Sequence, residues 1–135
     1  MLLTATTIIH PVTGRTPTTA TRVAVYRNLH RGAWSIKAET GEHKGRLLGH
    51  ATTVALTDCT MRVGRAAAAR IANGAPREVH AWVLGTLIGE ASITDPTRLV
   101  YRPHERPEFY AAATGQAVWT APHVIFTDCA YIAAH

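Results

Sequence analysis

The chain of 135 residues has the length of one ordinary domain and needs no disulfide or metal ion to support its core. Its hydrophobic fraction of 47% and charged fraction of 17% exclude an intrinsically disordered chain. The net charge is +5, and of the 14 basic residues only Lys37 and Lys44 are lysines. Arginine-rich composition suits a phosphate-bearing partner, but a GC-rich genome also produces it.

The sequence carries no signal for export or for membrane insertion. No uncharged apolar run approaches the roughly 18–20 residues of a membrane helix. The N-terminal segment Met1–Ile9 lacks the basic start of a secretion signal. We therefore expect a cytoplasmic protein without a membrane partner. Cys59 and Cys129 are far apart and are interpreted as two buried thiols.

In chain order, strands dominate the prediction. Residues 1–22 are rich in threonine and predict an N-terminal edge strand and loop, followed by a single globular domain over 23–135. The β-prone runs 23–30 and 33–38 are separated only by Arg31-Gly32, which predicts a tight hairpin. Further strands are predicted at 46–50, 52–57, 59–63, 78–88, 98–102, 116–119, 123–126 and 129–133.

One helix is predicted, over residues 64–73. Its centre is alanine, the residue with the highest helix propensity, and Asn73-Gly74 supplies a stop signal with Pro76 just beyond. Together these elements predict an α+β fold: a β-rich, strongly bent antiparallel sheet or partial barrel with this one main helix packed on it.

An internal echo links residues 54–59 and 124–129, each a β-prone run that ends in Thr-Asp-Cys. Both are interpreted as a strand that ends in a Thr-Asp turn and resumes at the cysteine. Asp58 and Asp128 are then turn formers rather than catalytic groups. This repeat is either a duplicated hairpin or an instance of the strand–turn–strand pattern that is common in β proteins.

Three histidines in strand-like runs are the candidates for chemistry, since imidazole titrates nearest neutral pH. Alternation along the strands places Tyr26, Asn28 and His30 on one face, and His80 with Trp82 on another. We expect a functional surface where these two faces meet, with His50 at its edge. The alternative is that each histidine is a hydrogen-bonded structural residue.

The motifs Asn28-Leu29-His30, Gly49-His50 and Val79-His80-Ala81, with Tyr101-Arg102-Pro103 downstream, resemble a group of small phage and prophage proteins of uncharacterised function. The resemblance covers roughly residues 23–103, and the alanine-rich helix departs from it. It implies a phage-related protein in the cytoplasm of a bacterial host and suggests a role in counteracting host defence.

The leading functional hypothesis is a phage accessory protein that binds nucleic acid or a nucleotide-like anionic ligand. Four arginines would contact phosphate: Arg27, Arg31, Arg46 and Arg77. Tyr26 and Trp82 would supply stacking surfaces, and Asn28, His50, His30 and His80 hydrogen bonds. The spacings match no metal motif and no nucleotide-phosphate loop, so neither a metal nor a cofactor is predicted.

Two other classes remain open. In the first class, the protein is a metal-independent ribonuclease or phosphotransfer enzyme. His30 and His80 are then its catalytic pair, with one imidazole as base and the other as acid. In the second, the chain is a virion component or a host-protein-binding module whose basic charge meets an acidic surface. A homo-oligomer is compatible with each class.

Overall fold

A computed structural model describes residues 2–12, 14–15, 18–28, 31–128 and 130–134. Within these ranges the chain forms eleven strands and one helix. The strands are β1 (Leu2–Ala5), β2 (Thr7–Pro11), β3 (Arg22–Asn28), β4 (Ala33–Ala38), β5 (Leu47–Val63), β6 (Ala81–Ile88), β7 (Glu90–Ile93), β8 (Thr97–Val100), β9 (Tyr110–Ala111), β10 (Thr120–Thr127) and β11 (Ala130–Ala133). The helix, α1 (Arg65–Ala72), lies between β5 and β6 in the chain.

The described strands build one large antiparallel sheet and one small one. The large sheet has nine strands in the order β4-β3-β6-β5-β10-β11-β8-β9, with β2 added alongside β5. Strand β5 bends, so that its first residues pair with β4 and its later residues with β6 and β10. The sheet is strongly bent but is not closed into a barrel, which confirms the predicted β-rich α+β fold with one helix.

The N-terminal residues cover the outside of this sheet. Strand β1 pairs with β7 in the two-stranded sheet, with Leu2 opposite Ile93. Ile93 is buried with Ala55 and Ile125 of the large sheet in a small second core. The main core lies on the other side of the large sheet and includes Trp34, Ile36, Leu56, Val83, Phe109, Val124 and Phe126.

The prediction of three separate strands between residues 46 and 63 is wrong, because β5 runs through all seventeen residues of Leu47–Val63. Asp58 adopts a positive φ of 53° inside the strand. The pairing with β6 shifts there, since Thr57 lies opposite Thr86 whereas Thr60 lies opposite Leu84. Thr57-Asp58 is therefore part of a β-bulge and not a turn between strands.

The bulge requires a glycine on the neighbouring strand. A Cβ atom at Gly85 would lie 3.0 Å from Leu56 Cβ and 3.1 Å from the Thr57 carbonyl oxygen. In the second copy of the echo, Thr127-Asp128 does connect two paired strands, β10 and β11, as predicted. Cys129 lies outside the described residues.

Helix α1 confirms the helix predicted over 64–73, and its C-terminus directs the chain toward the site described below. Gly74 has a φ of 96°, and its N–H donates to the Ile71 carbonyl, while the Ala75 N–H donates to the Arg70 carbonyl. This pair of bonds is a Schellman motif, which ends the helix and reverses the chain. The chain then runs through 75–80 without regular structure into β6. No helix in the described part of the chain is long and apolar enough to span a membrane.

Candidate functional site

Strands β3 and β6 diverge at one end of the sheet, and a cavity opens between them. Their pairing runs from Arg22 opposite Thr86 to Val25 opposite Val83. Beyond it β3 continues along β4 as far as Asn28. The space between the diverging strands has a volume of about 640 Å³, within the range of about 300–1,000 Å³ typical of small-molecule sites.

We call this space the His80 cavity. Its lining comes from both diverging strands, β4, the end of α1, the loop that precedes β6, the loop that follows β8, and β11. The lining residues are Tyr26, Arg27, Trp34, Ile71, Arg77, Glu78, Val79, His80, Ala81, Tyr101, Arg102, Pro103, His104, Glu105 and Tyr131.

The floor of the cavity is a fixed aromatic cluster. Trp34 is buried, and its Nε1–H donates to the Thr127 carbonyl oxygen at 2.9 Å. Tyr131 packs edge-on against Trp34 with ring centroids 5.0 Å apart, and Phe109 joins Tyr131 to Tyr101. Burial raises the pKa of the Tyr131 hydroxyl well above its usual value. Trp34 is 1% exposed, so the uncharged ring surface that a planar group can reach belongs to the half-buried Tyr101 and Tyr131.

His80 lines this cavity, and a hydrogen bond to the backbone defines the tautomer of its neutral ring. Its Nδ1 lies 2.8 Å from the backbone oxygen of Glu78. Because a carbonyl oxygen only accepts, Nδ1 must carry the proton of that bond, and in the neutral ring Nε2 is then the acceptor. Nε2 is buried and has no hydrogen-bond partner among the described residues.

Tyr101 contributes a second polar atom without a partner. Its ring lies 5.4 Å from the His80 ring, centroid to centroid, and its hydroxyl is buried with no partner in the described part of the chain. Burial raises the pKa of Tyr101 to about 12, so the hydroxyl keeps its proton at neutral pH. Buried polar atoms in folded proteins are normally paired. The cavity lining thus contains two neighbouring rings whose buried polar atoms have no described partner, which makes the cavity the candidate binding site.

Positive charge surrounds the cavity. The Arg27 guanidinium lies over the Trp34 ring at 5.2 Å, and Arg77 and Arg102 are exposed at the rim. The two acidic lining residues are engaged by neighbours. Glu78 pairs with Arg70 at 2.8 Å. Glu105 accepts a hydrogen bond from the Tyr110 hydroxyl at 3.0 Å and pairs with Arg102, another lining residue, at 3.7 Å. The described ion pairs do not include Arg77, so its charge is available to an anion.

His50 lies in a different environment. It is 5% exposed, and its Nδ1 is 2.9 Å from the Ser35 hydroxyl oxygen, which also accepts a hydrogen bond from the Asn28 amide at 3.1 Å. Burial, followed by the charges of Arg31 and His10, lowers the pKa of His50. His50 is thus held neutral in a buried polar chain, and neither it nor Asn28 lines the His80 cavity.

The other predicted site residues are dispersed. Arg31 and Arg46 are exposed in turns, beside β4 and β5 respectively, and neither lines the cavity. Trp82 lies under the Arg62 guanidinium at 5.2 Å, one residue beyond the lining. His30 lies outside the described residues. The structure brings together four of the predicted residues, namely Tyr26, Arg27, Arg77 and His80.

The other lining residues were not predicted from the sequence, among them Trp34, Tyr101, Arg102, His104 and Tyr131. Tyr101 and Arg102 belong to the Tyr101-Arg102-Pro103 motif of the family resemblance, and that motif was the available signal. Within the described ranges, no group of three or more His, Cys, Asp or Glu side chains is arranged to hold a metal ion.

Comparison with known proteins gives one match. The family model described as Mycobacterium phage L5 gene 82 protein matches residues 16–134, which include every residue that lines the His80 cavity. No curated protein and no solved structure matches the chain.

Proposed function

The chain belongs to the family of the Mycobacterium phage L5 gene 82 protein, and we propose that it is an accessory protein that binds a nucleotide-like anionic ligand in the His80 cavity. The observation that carries this proposal is the meeting of guanidinium groups and aromatic rings around one cavity of about 640 Å³. Removing such a ligand from the host is the route by which the protein would counteract host defence.

The charges support an anionic ligand. Arg27, Arg77 and Arg102 line the cavity. Arg70 offsets the lining carboxylate of Glu78, and Arg102 itself offsets that of Glu105. Guanidinium groups bind phosphate with paired, charge-assisted hydrogen bonds. The half-buried rings of Tyr101 and Tyr131 support a planar group beside that charge, since base–aromatic stacking contributes about 1–3 kcal/mol per base. A nucleotide unit has both features.

Titration calorimetry at low salt tests the proposal with mononucleotides and with short single-stranded oligonucleotides. We expect binding that weakens as salt rises, because phosphate contacts release bound counterions. Binding of mononucleotides alone identifies a free ligand, whereas binding of oligonucleotides alone identifies a nucleic acid. Absence of binding by both at low salt overturns the proposal.

Arg77 and Arg46 form a matched pair of variants. Both are exposed arginines outside strands, but only Arg77 lines the cavity. We expect Arg77→Gln to weaken binding about tenfold, the loss of one charge-assisted contact of roughly 1.5 kcal/mol. Arg46→Gln removes the same charge and is expected to leave affinity nearly unchanged. Equal losses in the two variants would show that the cavity is not the site.

A metal-independent ribonuclease is the second candidate, and the orientation of His80 favours it. With Nδ1–H bound to the Glu78 oxygen, Nε2 is placed to accept the proton of an RNA 2′-hydroxyl. The 2′-oxygen then attacks phosphorus, and the 5′-oxygen leaves with a proton from an acid. The products are a 2′,3′-cyclic phosphate and a 5′-hydroxyl end.

His104 lines the same cavity as a candidate acid, whereas the originally predicted partner, His30, lies outside the described residues. Incubation of single-stranded RNA with the protein and with His80→Asn tests this candidate. Cyclic-phosphate ends that form with the wild type but not with the variant support it. Intact RNA with the wild type, or equal cleavage by both, excludes it.

A further inference from the structure

We infer that the interior of the His80 cavity recognises the hydrogen-bonding edge of a nucleobase, while the phosphate stays at the rim. This inference rests on the proposed function and adds the orientation and the specificity of the ligand. It is carried by the two orphaned atoms, His80 Nε2 and the Tyr101 hydroxyl.

The two atoms are complementary in hydrogen bonding. His80 Nε2 accepts, because the ring proton is held on Nδ1 by the Glu78 carbonyl. The Tyr101 hydroxyl keeps its proton and donates. Together they require a ligand group that carries an N–H donor and an acceptor side by side, as the Watson–Crick edge of every base does. A phosphate has acceptors only and would face the Nε2 lone pair.

The positions of the side chains set the direction of the ligand. His80 and Tyr101 are half-buried beside the aromatic floor, whereas Arg77 and Arg102 are exposed at the rim. A base inside the cavity can stack on aromatic rings while it pairs with the two orphaned atoms. Its phosphate then reaches the rim guanidinium groups, where a charge keeps most of its hydration.

The test compares three ligand types by calorimetry: the four nucleosides, their 5′-monophosphates, and ribose 5-phosphate. We expect at least one nucleoside to bind measurably, its monophosphate to bind more tightly, and ribose 5-phosphate not to bind. Ribose 5-phosphate that binds as tightly as the nucleotides overturns the inference and leaves the proposed function intact. Failure of every ligand, including the nucleotides, rejects the proposed function itself.

Variants separate the two ends of the cavity. Tyr101→Phe deletes one hydroxyl and is expected to weaken the nucleoside and its monophosphate by the same factor, about fivefold to tenfold. His80→Asn keeps a donor toward the Glu78 carbonyl, lacks Nε2, and should act in the same way. Arg77→Gln should weaken only the monophosphate. If Tyr101→Phe leaves nucleoside binding unchanged, the base does not lie against Tyr101 and the inference fails.

His123 provides the control, since its Nδ1 is also buried without a partner among the described residues but lies outside the cavity. His123→Asn should not alter the affinity for any ligand. If the variants do not fold, NMR of the wild-type protein tests the inference instead. The ¹⁵N shift of His80 Nε2 should be that of an unprotonated nitrogen and should move when the nucleoside binds. An Nε2 that carries the ring proton, or an unmoved shift, overturns the inference.

Discussion

His50 and His80 place the same side chain in opposite situations. His50 is held in a chain of hydrogen bonds with Ser35 and Asn28 inside the sheet. His80 is anchored through one nitrogen to the Glu78 carbonyl, and its other nitrogen has no partner among the described residues. A histidine whose polar contacts are made by its own fold contributes to stability. One that leaves a buried nitrogen unpaired in the lining of a cavity is a candidate for contact with a ligand.

The largest effect that separates the two residues is on folding. His50→Ala removes a buried ring and leaves the Ser35 hydroxyl without its imidazole partner. We expect the free energy of unfolding to fall by about 2–4 kcal/mol. His80→Ala, at a half-buried position beside a cavity, should cost less than about 1 kcal/mol. Chemical denaturation of both variants measures the difference, and equal losses would remove the distinction.

The pH dependence of stability sharpens the same comparison. The pKa of His50 is lowered in the folded protein from its ordinary value of 6.5. As pH falls below that value, the unfolded chain takes up a proton at this position before the folded chain does. Stability from His50 is therefore complete above pH 6.5 and is lost as pH falls toward the folded-state pKa.

Denaturation of the wild type and of His50→Asn between pH 7.5 and about 5 isolates this contribution. The seven other histidines are present in both proteins, so the difference between the two pH dependences of stability belongs to His50. We expect the free energy of unfolding to depend less steeply on pH in His50→Asn than in the wild type. Identical slopes would mean that His50 titrates alike in the folded and unfolded chains.

The smallest expected effect is a gain in stability on removal of the Tyr101 hydroxyl. Tyr101→Phe removes a buried hydroxyl that has no partner among the described residues. We expect the free protein to keep its stability or to gain up to about 1 kcal/mol, because an unpaired buried hydroxyl is unfavourable. Thermal unfolding without ligand checks this. A clear loss of stability would show that the hydroxyl makes a structural contact and would weaken the case for a ligand there.

The local signals in the sequence predicted most of the fold. The alanine run with Asn73-Gly74 predicted the helix, and the short separation of two β-prone runs at Arg31-Gly32 predicted the hairpin of β3 and β4. The bulge at Asp58 was mistaken for a turn, because the same Thr-Asp pair does make a turn after β10. What distinguishes the two sites is Gly85 on the neighbouring strand, which no local pattern near Asp58 can reveal.

The site was predicted only in part for a similar reason. Alternation grouped His80 with Trp82, but β6 begins at Ala81, so His80 belongs to the loop before the strand. Its neighbour in the cavity is Tyr101, from a distant loop. Where two strands part, and which loops fill the gap, depends on long-range packing that periodicity within one strand does not encode.

Strands β3 and β6 diverge after the pair Val25 and Val83. As a result, the sheet and the cavity wall can change independently in evolution. Much of the cavity wall comes from the segments 77–80 and 101–105, which lie outside the strands. Substitutions and insertions there leave the ladder of the sheet unbroken, and loops tolerate both. The sheet can thus stay constant while the residues that line the cavity change.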